Sequence, residues 1–236
     1  MRAIGKLCLL VLPCAGGSAG AEERHWSVSP YLWAAGIDGA VYTGSLTADY
    51  SADFGDIVNV LEGGILVGLE SRSGRNALFA DVVSLALDDD EARGPFGEQF
   101  AADVDVLVMQ AGYGRSMSEG FRLEGGARYW DLEVRLDSAA VGPVDRSADW
   151  VDGFVGLMVE NPLGDRWSFR FRGNVGAGSS DLALEVAAEF ARRFANGNAL
   201  TLGFRGLDLD RSKGGSRPLD LDVRFAGLTI GYTFNW

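Results

Sequence analysis

Runs of about ten residues in which apolar side chains recur at every second position constrain this chain more than any other feature. In "FRLEGGARYW" Phe121, Leu123, Gly125, Ala127 and Tyr129 fall on one face of an extended strand, and Arg122, Glu124, Gly126 and Arg128 on the other. "WSFRFRGNV" sets Trp167, Phe169, Phe171, Gly173 and Val175 against Ser168, Arg170, Arg172 and Asn174. "LALEVAAEF" sets Leu182, Leu184, Val186, Ala188 and Phe190 against Glu185 and Glu189. "ALTLGFRG" opposes Leu200, Leu202 and Phe204 to Arg205, and "WVDGFVGLMV" opposes Val151, Val155, Leu157 and Val159 to Asp152. A soluble β-sandwich alternates too. Here the apolar faces carry aromatics at the strand ends, and the polar faces carry arginine and glutamate among glycines. That is the pattern of strands with lipid on one side and a lumen on the other. The 33 glycines suit it, because they let strands bend and leave lumen space.

The fold expected is therefore all-β, a transmembrane antiparallel up-and-down β-barrel. Ten strands are read near residues 26–36, 63–73, 75–88, 102–115, 120–132, 148–160, 166–178, 181–193, 198–210 and 220–236. "AVY" and "LTADYS" suggest a further hairpin around Thr43–Ser45, so the expectation is 12 strands with ten as the fallback. "FGDIVNVL" reads as a short helix or plug, with Asp56 near its start. "SRSGRN", "SMSEGF", "NPLGDR" and "FANGNA" are turn-like, whereas "DDDEARGPFGEQFAAD", "DSAAVGPVDRSA" and "DRSKGGSRP" are longer and polar. Short periplasmic turns and longer extracellular loops orient such a barrel. Tyr113, Phe121, Trp167, Phe194 and Trp236 beside the short turns form an aromatic girdle.

Residues 1–21 read as a cleaved secretory leader: basic Arg2 and Lys6, the apolar run "LCLLVL", and small residues ending at Ala19 and Ala21. The barrel then occupies 22–236. A lipoprotein reading through Cys14 is the alternative, and Pro13 before that cysteine fits it poorly. Both cysteines, Cys8 and Cys14, lie in the leader, which leaves the mature chain without a thiol, a disulfide or a cysteine metal site. Losing Arg2 and Lys6 takes the net charge from −12 to −14, the wrong sign for nucleic acid.

"FAGLTIGYTFNW" supplies the closing strand. Leu228, Ile230, Tyr232, Phe234 and Trp236 share one face, and Gly227, Thr229, Gly231 and Thr233 the other. An open edge in lipid would strand unpaired amides, so this strand is expected to pair with the first. Its alternating hydrophobics and terminal aromatic, Ile230, Tyr232, Phe234 and Trp236, resemble the C-terminal signal read by the barrel-assembly machinery of outer membranes. "SPYLWAAGIDG", "WVDGFVGLMVENPLGDRW", "FRGNVGAG" and "LTIGYTFNW" resemble a group of uncharacterised outer-membrane β-barrel proteins of Gram-negative bacteria, over most of residues 26–236. The resemblance implies a barrel fold and an outer-membrane location, and no activity. Where that group has proline after "WVD" and aspartate before "VG", this chain has Gly153 and Asn174.

No enzymatic chemistry is expected. His25 is the only histidine and stands at the start of the mature chain, a poor place for a catalytic imidazole; it reads as an interface residue beside Trp26. Glu185 and Glu189, four residues apart on one strand, stand about 13 Å apart, too far for a glycosidase pair. The candidate site is the lumen face: Arg122, Glu124, Arg128, Asp152, Arg170, Arg172, Glu185, Glu189 and Arg205. At membrane depth such groups must pair or line water. The leading expectation is a small-solute channel or binding barrel of unknown solute. The alternative is a sealed envelope barrel braced by salt bridges, and a membrane-embedded enzyme is a distant third. Asp103, Asp105, Asp131, Asp208, Asp220 and Asp222 fall in the outward register above the apolar band. One reading makes them a collar binding Ca²⁺ or Mg²⁺ against lipopolysaccharide phosphates; the other makes them ordinary solvated charge.

Overall fold

The computed structural model describes residues 24–43, 46–52, 54–93, 99–137, 144–212 and 220–236. Residues 1–21, read as a leader, lie outside the described residues, as do the tips of the loops read as extracellular.

The ten expected strands all form. They are β1 (Arg24–Thr43), β3 (Leu61–Ser73), β4 (Asn76–Arg93), β5 (Gln99–Ser118), β6 (Phe121–Asp137), β7 (Val144–Pro162), β8 (Trp167–Gly178), β9 (Leu182–Arg193), β10 (Ala199–Arg211) and β11 (Asp220–Asn235). β2 (Leu46–Ala52) and α1 (Phe54–Val60) lie between the first two of these. Each strand pairs antiparallel with the next around the ring, and β11 pairs back onto β1 from Ser27↔Asn235 to Tyr42↔Asp220. The barrel is closed, and its seam is where the closing strand was expected.

The wall has ten strands, not 12. The hairpin around Thr43–Ser45 does form, but "AVY" is not a separate strand. Val41 and Tyr42 still pair with Leu221 and Asp220, so they continue β1. Only β2 is new, and it pairs with β1 alone, from Ile37↔Ala52 to Thr43↔Leu46. β3 takes the other half of the same edge, from Arg24↔Ser73 to Pro30↔Val67. Pro30, which has no N–H to give, is the last β1 residue in that ladder. "FGDIVNV" forms α1, with Ile57 buried.

Short turns join the strands at one end, and both ends of the described chain lie there, with Trp26 and Trp236 exchanging backbone hydrogen bonds of 2.8 and 3.1 Å. Gly120, at φ +70°, is required in its turn: a Cβ there would stand 2.4 Å from the Glu160 carbonyl oxygen.

The ten wall strands run 12 to 20 residues, longer than the 9–11 or so a tilted strand needs to cross a bilayer. The side-chain pattern shows how the excess is used. Toward the short turns, the outward positions are large and exposed: Leu123, Val155, Phe171, Val175, Leu184, Leu202, Phe204, Leu228 and Ile230. Toward the long connections the alternation inverts. On β10, Asp208 and Asp210 face out while Leu207 and Leu209 are buried inside. On β11, Asp222 and Arg224 face out over Leu221, and on β6 Glu133 and Arg135 are exposed while Trp130 is buried. The lower barrel has the surface of a lipid-facing wall. The upper barrel has the apolar inside and charged outside of a barrel standing in water.

Candidate functional site

The inward residues form three layers along the axis. The lowest holds Glu70 and Arg72 of β3, Arg122 and Glu124 of β6, Glu160 of β7, Arg170 and Arg172 of β8 and Glu189 of β9. Arg122 bridges Glu70 at 2.8 Å and Glu124 at 2.7 Å, and Arg172 meets Glu124 at 3.0 Å. Arg72 pairs with Glu70 on its own strand and reaches Glu160 at 3.3 Å. Arg170 sits between Glu160 at 3.5 Å and Glu189 at 3.9 Å.

The middle layer is tighter and drier. Glu185 receives Arg128 at 2.5 Å, Arg205 at 2.7 Å and the Asn174 amide nitrogen at 2.9 Å. Arg205 also meets Asp81 at 3.0 Å, and Tyr31 donates to the same carboxylate. Arg128 is only 1% exposed; it donates as well to Gln110 at 3.0 Å and to the Asn174 side-chain oxygen at 2.9 Å. Asn174 therefore accepts from a cation and donates to an anion at once. The aspartate of the resembling group would set a second carboxylate beside Glu185, so the amide is the better fit to this arrangement.

The upper layer is apolar. Trp130 of β6 and Trp150 of β7 are a cross-strand pair, stacked at 5.6 Å with 13° between their planes, and each is 4% exposed. Val83, Val108, Ala183, Leu207, Leu209 and Leu221 are buried with them, and Trp33, Phe225, Leu66, Leu85, Val106 and Leu132 pack against the cluster. Asp152 holds this layer in place: it accepts from Trp130 Nε1 at 3.0 Å and from the Ser180 hydroxyl at 2.7 Å, and Ser180 accepts from Trp150 Nε1 at 2.9 Å. Arg211 lies 4.3 Å over the Trp150 ring.

All nine residues expected in the lumen point inward, and eight share ion pairs; Asp152 instead anchors indoles. Sequence reasoning did not single out Glu70, Arg72, Asp81, Glu160, Tyr31, Gln110 or Arg211. Glu70 and Arg72 could have been found, since Ile65, Val67 and Leu69 alternate with them. Asp81 could not, because both registers of "ALFADVVSL" are largely apolar.

A cavity of about 890 Å³ opens at the short-turn end and reaches up to Tyr31, Asp81 and Arg205. Glu70, Arg72, Glu160, Arg170, Arg172 and Glu189 line one wall. The stretch from β10 through β11 to β1 is small: Ser27, Ser29, Thr201, Thr229 and Thr233, with Ala199; Ala187 and Ala191 flank Glu189 on β9. His25, expected at the membrane interface, instead lines the cavity mouth. The inside is thus a cup, floored by buried ion pairs and capped by aromatic packing.

The aspartate collar does not converge. Asp103, Asp105 and Asp131 lie on β5 and β6, and Asp208 and Asp222 on β10 and β11, across the ring. The side chain of Asp220 lies outside the described residues. Asp103 is 3.9 Å from Arg135, which also pairs with Asp145, and Asp208 is held by Arg224. Among the described residues no three His, Cys, Asp or Glu side chains are placed to hold a metal ion. These carboxylates are on the water-facing side of the upper barrel, where exposed charge is the ordinary surface. At the same rim Ser212 donates its amide and hydroxyl to Asp181, holding that carboxyl below its ordinary range.

The fold and the lumen define a closed antiparallel ten-strand β-barrel with a lipid-type outer belt. No protein-family model and no curated protein matches the sequence. Solved structures similar to it are outer-membrane β-barrel proteins of Gram-negative bacteria. The attachment invasion locus protein Ail of Yersinia pestis, in complex with a heparin analogue, aligns at TM-score 0.44 and 13% identity, over 90% of this chain and 99% of that one. The translocator domain of the autotransporter NalP from Neisseria meningitidis aligns at TM-score 0.45 and 15% identity, over 90% and 89%. The CymD monoaromatic hydrocarbon channel aligns at TM-score 0.37 and 11% identity, over 92% and 89%. Likeness at this level assigns no activity; the barrel rests on its own strand register.

Proposed function

We propose that this chain is an outer-membrane β-barrel that does not conduct: a sealed envelope barrel, braced by ion pairs, with a blind cup facing the periplasm. One observation carries this reading. The buried Trp130–Trp150 layer lies directly above the buried ion pairs of Arg128, Glu185 and Arg205, so among the described residues two packed layers stand between the cup and the far end. A water-filled channel would leave its lining exposed. This favours the sealed alternative over the channel. Reconstituted wild-type protein is expected to show no stepwise current in a planar bilayer, and Trp130→Ala/Trp150→Ala to introduce intermittent openings. Reproducible wild-type channels would overturn the proposal.

The outer membrane is supported by the exposed apolar belt, which would be insoluble in water. The outward residues Ile230, Tyr232, Phe234 and Trp236 on the seam strand fit the assembly signal they resemble. Phe234→Ser/Trp236→Ser is expected to leave most of the protein in the periplasm or degraded, as fractionation would show. Normal outer-membrane levels would remove that role. Lipopolysaccharide and the barrel-assembly machinery are the partners this location implies.

A further inference from the structure

The cup offers more than empty space, because its charges are graded. Deep in the lumen the ion pairs are short and buried, and are closed to exchange by the cost of stranding a charge. At the cup wall one set is loose, that of Arg170, while Arg72 and Glu70 stay tightly paired. Arg170 stands 3.5 Å from Glu160 and 3.9 Å from Glu189, and the Arg170 and Glu189 side chains keep 33% and 31% of their exposure. Both line the cavity. Beside them, from β10 through β11 to β1, the lining is serine and threonine hydroxyls, which leave room and supply neutral hydrogen-bonding groups.

We infer that this cup is a binding site for a small zwitterion, an α-amino acid or short peptide, whose carboxylate meets Arg170 and whose ammonium meets Glu189. The charge arithmetic selects the class. A simple anion at Arg170 would displace one carboxylate and leave it unpaired beside the newcomer; a simple cation at Glu189 would do the same to the arginine. A zwitterion inserted into the 3.9 Å gap gives each group a new partner and leaves none over. The volume, about 890 Å³, lies in the range of small-molecule pockets. Amide and hydroxyl groups of the ligand would find Thr201, Thr229 and Thr233 on the adjoining β10 and β11.

The site rests on the cup of the preceding proposal and not on its seal, so the two fail separately. Thermal unfolding of the refolded full-length barrel in detergent, followed by tryptophan fluorescence, tests it with glycylglycine as the probe. Acetate and ethylammonium, singly and at matched ionic strength, are the comparisons. Saturating glycylglycine is expected to raise the wild-type midpoint by about 5 °C, and the single ions to leave it unchanged. Arg170→Gln/Glu189→Gln should abolish the response. Ala191→Phe, which fills the cup without removing a charged group, should abolish it too. An equal shift with acetate or ethylammonium alone would make this a simple ion site and overturn the inference. So would no shift with glycylglycine, or a shift kept by both variants. Channel activity in the bilayer would count against the seal and leave this comparison standing.

Discussion

Glu185→Leu is expected to be among the most damaging single substitutions inside the barrel, with a loss of about 3–5 kcal/mol of stability. Glu185 is the shared acceptor of Arg128, Arg205 and Asn174. Without it Arg205 keeps Asp81 and Tyr31, but Arg128 keeps only the neutral oxygens of Gln110 and Asn174. A guanidinium 1% exposed would then stand in the lumen with no carboxylate in ion-pair contact, since its cross-strand neighbour Asp152 is already engaged by Trp130 and Ser180. Glu189→Gln removes the same kind of group from the cup wall, where water reaches it, and should cost about 0.2–1 kcal/mol. Unfolding midpoints of the two variants in detergent provide the check, and equal losses would show that depth in the lumen does not set the value of a charge. Arg128→Met/Glu185→Leu should recover much of the loss, since removing both partners ends the uncompensated charge.

That contrast follows from the layering, and only part of the layering can be read from the residues in order. The lower barrel is legible because lipid enforces a strict rule: in "WSFRFRGNV" every outward position is apolar or glycine, so Arg170 and Arg172 can only point in. The seam is legible for the same reason, since no edge survives in lipid. Above the bilayer that rule lapses. The same alternation continues through Leu207–Asp208–Leu209–Asp210, but water now lies outside, so the leucines turn in and the aspartates out. Period-two spacing is identical on both sides of this boundary. The sequence marks it only by which register carries charge, and that is why the aspartates stood out while the tryptophan layer beneath them did not. The strand count failed at a similar boundary. "AVY" looks separate beside Gly39 and Thr43, yet its partners on β11 make it one strand with the membrane-crossing part. Pairing across the chain is not visible locally. Nor are the ion pairs that cross the lumen, such as Arg205 with Asp81, which join residues far apart in the chain and on opposite walls.

Gly227→Ala is expected to prevent closure of the barrel. Gly227 lies on β11 opposite Ala35 of β1, and a Cβ there would stand 1.8 Å from the Ala34 carbonyl oxygen and 2.5 Å from its carbonyl carbon. Those atoms are backbone, so no rotamer relieves the overlap; the two strands must separate. Separation at this point loosens the ladder that closes the ring, and each amide left unpaired in lipid costs several kcal/mol. Gly206 provides the comparison one strand away. It pairs with Ala226, and a Cβ there would make only ordinary contacts, with the Val186 side chain at 3.5 Å, the Phe204 ring at 3.7 Å and the Phe225 carbonyl oxygen at 3.9 Å. Gly206→Ala should therefore fold as the wild type does, and a small methyl on the outer wall should be tolerated or mildly favourable. Refolding yield in detergent, scored by protease resistance and by the mobility of unheated samples on gels, distinguishes the two. Gly227→Ala should give little compact, resistant protein under conditions where Gly206→Ala gives wild-type amounts. Wild-type yield and unfolding midpoint for Gly227→Ala would mean that β1 and β11 part at no cost, and that the ring does not depend on close approach at its seam.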